Sequence, residues 1–307
     1  MFSKQIRSCL ILILFLFLAT PVNAQDMSEY YTVKHPDEFT IDWAGFYKTN
    51  TKATAKVRRE YPHHLNLAYG PNPKQALDLY LPKGEIFAAP VFLFLHGGGF
   101  REGDRAQYGS IAQPFVKNGV ITAVASYRLT EDGFHYPAQP EDVKNAIKWI
   151  YENIAEYGGK TDSIFVGGHS AGAILSADVG VDRVWMTAMD IPKKAFKGII
   201  PISGPYDMRK KGRPGEQSSY APTAELQAQA SPILHINDPV PSALVAVGSL
   251  EKYQESSIAF ANGLKAADVD AYYLLMDDED HDDTALSLAN EESELFKRTI
   301  RMILAVD

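Results

Sequence analysis

The apolar positions of this chain fall into two kinds of pattern. From Gln75 to Leu81, QALDLYL alternates apolar and polar residues and predicts a strand with one exposed face. VFLFL (Val91 to Leu95) and VITAVAS (Val120 to Ser126) are instead short and almost continuously apolar, as strands covered on both faces of a parallel sheet are. SIFVGG, GIIPIS (Gly198 to Ser203), ALVAVGS (Ala243 to Ser249) and AYYLLM (Ala271 to Met276) repeat that type. Between these runs the period lengthens: in PEDVKNAIKWIYENIAEYG, Val143, Ile147, Ile150 and Ile154 share one helical face and Gly158 supplies a stop. Tyr253 to Ala267 and Thr284 to Leu304 predict two further helices. Alternating strands and helices predict the α/β class, a mostly parallel central sheet with helices on both faces. Ligands in such sheets bind beyond the carboxyl ends of the strands, so the residues directly after each apolar run are where chemistry is expected.

Composition changes the picture mainly at the amino end. Lys4 and Arg7 precede an apolar run from Leu10 to Ala19, and Val22-Asn23-Ala24 offers a cleavage site, which predicts a signal peptide over residues 1–24. The run is shorter than the roughly 20 residues needed to span a bilayer. The expectation is an exported protein, periplasmic in a Gram-negative host or secreted, with no stable membrane anchor after cleavage. The one cysteine, Cys9, lies in that segment, leaving no thiol, disulfide or cysteine-ligated metal afterwards. Without Lys4 and Arg7, 38 acidic residues face 28 basic ones, and that acidic balance repels nucleic acid. Residues 25–70, with the aromatic DEFTIDWAGFY, are expected as an N-terminal arm or partial lid in which His63 and His64 precede the sheet. Residues 71–307 are expected as one catalytic domain, with the polar stretch 205–232 a second place for a small cap.

The strand ends, taken in chain order, carry His96-Gly97-Gly98-Gly99, then Ser170, then Glu251, then His281. Gly168-His169-Ser170-Ala171-Gly172 fits G-x-S-x-G, whose small flanking residues let a strand turn directly into a helix with the serine hydroxyl thrust outward. Three glycines after a strand let backbone N–H groups converge on a developing oxyanion. No G-x-G-x-x-G or G-K-[ST] pattern offers a phosphate-binding alternative. A serine hydroxyl needs a base to take its proton and a carboxylate to fix that base's tautomer. Among the histidines only His281 follows the last core strand, which makes it the candidate base.

His281 sits in DDEDHDD, between Asp277, Asp278, Glu279, Asp280, Asp282 and Asp283. The stretch lacks the sixth-position glycine and terminal glutamate of an EF-hand loop, and no cysteine or paired histidine suggests zinc, so neither metal nor other cofactor is expected. Two readings of the triad acid stand at this point. Glu251, two residues past ALVAVGS, can reach His281 from a neighbouring loop, or one of the acids beside His281 orients the ring.

HGGGF, YRL (Tyr127 to Leu129), PAQPEDV, GGHSAGA, ISGPYD, GSLE and His281 together resemble serine carboxylesterases of the α/β-hydrolase superfamily, in the branch of hormone-sensitive-lipase-like esterases and kynurenine formamidases. The resemblance runs from about Gln75 to the C-terminus. It implies the α/β-hydrolase fold, a Ser170–His281–Glu251 triad, and an oxyanion hole of Gly98, Gly99 and the Ala171 N–H. It also implies that Asp142 and Tyr127-Arg128 are buried structural elements. GSLEKYQES is closer to the formamidase pattern. Tyr206, Tyr220 and Phe100 are acyl-pocket or packing residues on this reading. The expected substrate is a small-molecule carboxylic ester, small acyl or carbohydrate-linked, opened through an acyl-enzyme. The alternatives are an amidase, either arylformamidase or peptidase, and a non-catalytic hydrolase fold used for binding. Oligomeric state is not encoded in any pattern of the chain.

Overall fold

The computed structural model describes residues 43–305 apart from 211–218 and 238. The predicted signal peptide lies outside the described residues, as does part of the stretch expected to form a cap. No described helix is long and apolar enough to cross a membrane.

Eight strands form one sheet: β1 (His63–Ala68), β2 (Ala76–Tyr80), β3 (Ala89–Leu95), β4 (Ile121–Ala125), β5 (Gly159–His169), β6 (Phe196–Ile202), β7 (Ser242–Gly248) and β8 (Ala271–Met276). Their order is β1-β2-β4-β3-β5-β6-β7-β8. β1 and β2 are antiparallel to each other, β2 is antiparallel to β4, and every other pairing is parallel. This is the α/β-hydrolase fold.

The continuous apolar runs follow from two cores. Val91, Leu93 and Leu95 of β3 join the cluster that packs helices Ala138–Asn153, Ala171–Val181 and Gln254–Ala266. Phe92 and Phe94 of the same strand join the opposite cluster, with helices Trp43–Glu60, Ala112–Lys117 and Glu294–Leu304. Both faces of β3 are therefore apolar, and burying each such side chain stabilises the fold by roughly 1.5–3 kcal/mol.

Three sequence expectations are corrected. β2 was expected to be half-exposed but is buried throughout. Helix Trp43–Glu60 covers its second face, and the polar Asp78 is accommodated by ion pairs to Arg58 at 2.8 Å and Arg105 at 3.1 Å. His63 and His64 do not precede the sheet: they begin β1, an edge strand whose burial alternates and whose register shifts between His64 and Leu67. Thr284 to Leu304 is not one helix. His281–Leu286 passes into a 3₁₀ turn at Ser287–Ala289, and a new helix starts at Glu294, where the Ser293 hydroxyl accepts the Phe296 N–H.

Sheet topology positions the chemistry. β3 lies between β4 and β5, so the chain leaves it in one direction and returns on its other side, which opens a crevice at the strands' carboxyl ends. Leu95 of β3 pairs with Gly168 of β5, so the glycine loop and the G-x-S-x-G turn emerge side by side.

Candidate active site

Ser170 stands between β5 and helix Ala171–Val181 with φ 56° and ψ −113°, a left-handed conformation that a non-glycine residue adopts only where its surroundings impose it. Its N–H is held by the Ile202 carbonyl at 2.9 Å. The flanking glycines are sterically required. A Cβ on Gly168 would lie 2.3 Å from the Gly172 carbonyl oxygen, and one on Gly172 would lie 2.1 Å from that of Leu95. These contacts fold GGHSAGA into the strand–turn–helix that its sequence predicts.

The glycine loop turns back beside this elbow. Gly98, Gly99 and Phe100 all have positive φ, at 112°, 60° and 62°. The Gly98 carbonyl accepts the N–H groups of Arg101 and Glu102. Gly97 abuts the elbow: a Cβ there would be 2.9 Å from His169 Nδ1 and 3.4 Å from Ser170 Cβ. Ala171 opens the helix, so its N–H is among the first-turn groups without an intrahelical acceptor. Underneath, the His96 ring stacks on Tyr127 at 4.3 Å, the Tyr127 hydroxyl donates to the His96 carbonyl at 2.8 Å, and burial pulls the His96 pKa down to about 4. Phe100 stacks on Tyr220 at 3.6 Å, and Tyr206 on Phe260 at 4.4 Å, all four rings being buried.

His281 begins a short helix, and its Nδ1 lies 2.7 Å from Glu251 Oε2. Of the two readings of the acid, this geometry favours Glu251. Asp280 instead caps the His281 helix, accepting the N–H groups of Asp282 and Asp283, and Asp283 completes the capping box. Glu251 is 1% exposed, and its other oxygen accepts the Gly248 N–H at 2.7 Å and the Ser203 hydroxyl at 2.5 Å. Burial pushes its pKa up to about 7, with the Ser203 and Gly248 hydrogen bonds opposing that rise.

Four contributors were not singled out in the sequence: Ser203, Gly248, Thr284 and, as anything beyond a filler of the elbow, His169. Only Ser203 carried a signal, as the residue ending an apolar run. Arg128 and Asp142 do form a structural pair, with Arg128 Nη2 2.6 Å from Asp142 Oδ1, and the Arg128 N–H and the Gln75 amide also donate to that carboxylate. At the rim, Tyr47 of the first helix lies close enough to Glu102 and Asp282 that, after burial, their charges also raise its phenol pKa.

The comparisons with known proteins agree with this architecture. The chain is 29% identical over 237 residues to esterase LipC of Mycobacterium tuberculosis, a match covering 70% of this chain and 57% of that one. It is 24% identical over 257 residues to a kynurenine formamidase of Danio rerio, covering 81% and 85% of the two chains. The chain spans little more than half the length of the first curated relatives it matches. A solved structure described as a truncated carbohydrate esterase from gut microbiota superposes with a TM-score of 0.71 at 20% identity, over 80% of this chain and 96% of that one. Residues 77–257, more than half of the 307-residue chain, match the BD-FAE family, and the chain belongs to that family on the α/β-hydrolase fold.

Proposed function

We propose that this chain is a serine carboxylesterase acting through an acyl-enzyme. The observation that carries the reading is the 2.7 Å hydrogen bond between His281 Nδ1 and the buried Glu251 carboxylate, on a sheet whose crevice presents Ser170 from a strained elbow. Ser170 Oγ attacks the ester carbonyl carbon while His281 Nε2 takes its proton. The oxyanion is stabilised by the N–H groups of Gly98, Gly99 and Ala171. His281 returns the proton to the leaving alkoxide, and the C–O bond of the ester breaks. Water, deprotonated by the same imidazole, then releases the acid and restores Ser170. Glu251 fixes the imidazole tautomer and stabilises the imidazolium as it forms.

Export fits the amino-terminal pattern of Lys4, Arg7 and the Leu10–Ala19 run. An exported esterase with a neighbour described as a carbohydrate esterase suits small acyl or carbohydrate-linked esters. The first helix packs Phe46 on Tyr108 at 5.8 Å beside the glycine loop, which supports residues 43–60 as a fixed wall of the entrance. The kynurenine formamidase relative, covered over 85% of its length, supports arylformamidase activity as a second reading.

The test is hydrolysis of a p-nitrophenyl ester series, acetate to decanoate, by wild type and Ser170→Ala. Turnover of the short esters that falls roughly 10⁴-fold or more in the variant is the expected result. Folded wild type that ignores every ester yet cleaves N-formyl arylamides would replace the esterase reading with the second one.

A further inference from the structure

The elbow carries a second imidazole that the proposed mechanism does not use. His169 is completely buried, and its ring lies 4.4 Å from that of His281, tilted by 47°. Its Nε2 is 3.3 Å from Thr284 Oγ1, and the backbone of His281 faces the same ring. Thr284 Oγ1 lies 3.0 Å from both Ser203 Oγ and the His281 carbonyl oxygen. Ser203 in turn meets Glu251 Oε1.

Counting protons gives this chain a direction. The ionised Glu251 carboxylate can only accept, so the single Ser203 proton goes to it. Ser203 is then an acceptor towards Thr284. The Thr284 proton is shared between Ser203 Oγ and the His281 carbonyl, both of which accept. That leaves the Thr284 oxygen as an acceptor facing His169, and the His281 carbonyl beside the ring is an acceptor too. His169 Nε2 therefore carries the proton, and the unprotonated Nδ1, which has no hydrogen-bond partner, points at Gly97, where even a Cβ would crowd it.

We infer that His169 is a positioning residue for the proposed triad: its Nε2–H closes a hydrogen-bond chain through Thr284 and Ser203 to Glu251 while its ring braces His281. The inference rests on the Ser170–His281–Glu251 reading above. Burial and the neighbouring His281 both disfavour a charge on His169, so the ring stays a neutral donor while its neighbour becomes an imidazolium. Donors relayed to Glu251 oppose the burial that favours its neutral form, and so extend the pH range in which the acid is ionised. The other titratable groups facing this cluster are Tyr253 on the His281 ring, Asp280 and Glu279 from the histidine loop, and Tyr206 and Tyr273 towards Glu251. None of them lies on the relay.

The experiment measures kcat, KM and the pH dependence of kcat/KM for the full chain and for His169→Phe, His169→Gln and Thr284→Val. Phe keeps a ring and removes the donor, Gln restores a donor near the Nε2 position, and Val cuts the relay one bond further on. The expected result for His169→Phe is a kcat lower by about tenfold to a hundredfold at nearly constant KM. Its ascending pH limb should move to higher pH, with Gln recovering most of both properties. Thr284→Val should move the limb in the same direction, and the Phe/Val double variant should add little to either single change. A limb that stays in place in His169→Phe overturns the inference and assigns the ring to packing alone. Should His169→Phe not fold, an unshifted limb in Thr284→Val does the same. Substantial ester turnover by Ser170→Ala would instead sink the triad reading itself, so the two failures are separable.

Discussion

Two buried carboxylates at the carboxyl end of the sheet are held in opposite ways. Asp142 is fully buried and is met by a permanent cation: Arg128 Nε and Nη2, the Arg128 N–H and the Gln75 amide all donate to it. Glu251 is as deeply buried but is met by a serine hydroxyl, a backbone N–H and an imidazole. None of those partners carries a permanent charge. Burial accordingly pushes Glu251 up to about 7. Under the proposed triad, the contrast is that between a structural carboxylate and a catalytic one. The Asp142 charge is already compensated by Arg128, which leaves it little to give to a transition state. On the proposed mechanism Glu251 is under-compensated until His281 takes a proton, and an interaction stronger in the transition state than in the ground state is one that accelerates the reaction.

The largest expected effect lies on the Glu251 side. Glu251→Gln should keep a side chain of the same shape, accept the wrong tautomer of His281, and lower kcat/KM roughly 10³- to 10⁴-fold. Its stability at pH 8 should be no lower than that of wild type, because a buried charge has been removed along with its desolvation cost. Asp142→Asn should do the reverse. It leaves Arg128 with only the exposed Glu141 carboxylate, 3.8 Å away, and should lower unfolding free energy by about 2–3 kcal/mol, at the low end for a broken buried pair because the Arg128 side chain is 19% exposed and keeps that second partner. Its kcat per folded molecule should be nearly unchanged. Denaturant titration beside steady-state kinetics reads both, and a loss of the same property in both variants would dissolve the distinction.

The third prediction concerns pH. A carboxyl whose folded pKa is raised from 4.5 to about 7 binds its proton more tightly in the native state. Its contribution to stability is complete below pH 4.5 and is lost as pH rises through 7. Glu251→Gln lacks that titration. Thermal midpoints measured from pH 4 to 8 should therefore show the variant gaining on wild type as pH rises through this window. In wild type the same titration should make kcat/KM climb towards pH 7. Parallel midpoint curves for the two proteins would mean that Glu251 is not perturbed.

Different parts of this contrast were legible in the sequence to different degrees. The parallel strands were readable because each face of β3 or β5 meets its own core, so the residues that turn sideways are apolar as well. The serine elbow was readable because close backbone approach excludes any side chain at Gly168 and Gly172. β1 was not: HHLNLA is an edge strand whose alternate residues face solvent, and it holds two histidines and an asparagine. β2 misled because Asp78 looks solvent-bound until Arg58 and Arg105 arrive from distant segments. For the same reason the residue pattern alone kept both Glu251 and the acids around His281 in play, and it was the family resemblance that pointed to Glu251. A stretch such as DDEDHDD reveals which residues are charged, and only the fold reveals that Asp280 is occupied as a helix cap. Ser203, Thr284 and His169 come from three separate segments, and no spacing rule links them.

The smallest effect is the most discriminating about that acidic stretch. Asp280 is solvent-exposed, yet its charge is one of the influences that raise Glu251. Asn ranks with Asp as a helix N-cap, so Asp280→Asn should preserve the His281 helix while removing the charge. The ascending limb of kcat/KM should then move to lower pH by less than one unit, with kcat on the plateau unchanged. Because the interaction runs through solvent, the shift should shrink as ionic strength rises and the screening length shortens. Asp280→Ala removes the cap as well, at a cost of about 1 kcal/mol in stability, and should lower the plateau by loosening the segment that carries His281. A plateau loss in Asp280→Asn equal to that in Asp280→Ala would show that the charge itself, and not the cap, holds the imidazole against Glu251. That outcome would return part of the orienting role to the acids beside His281.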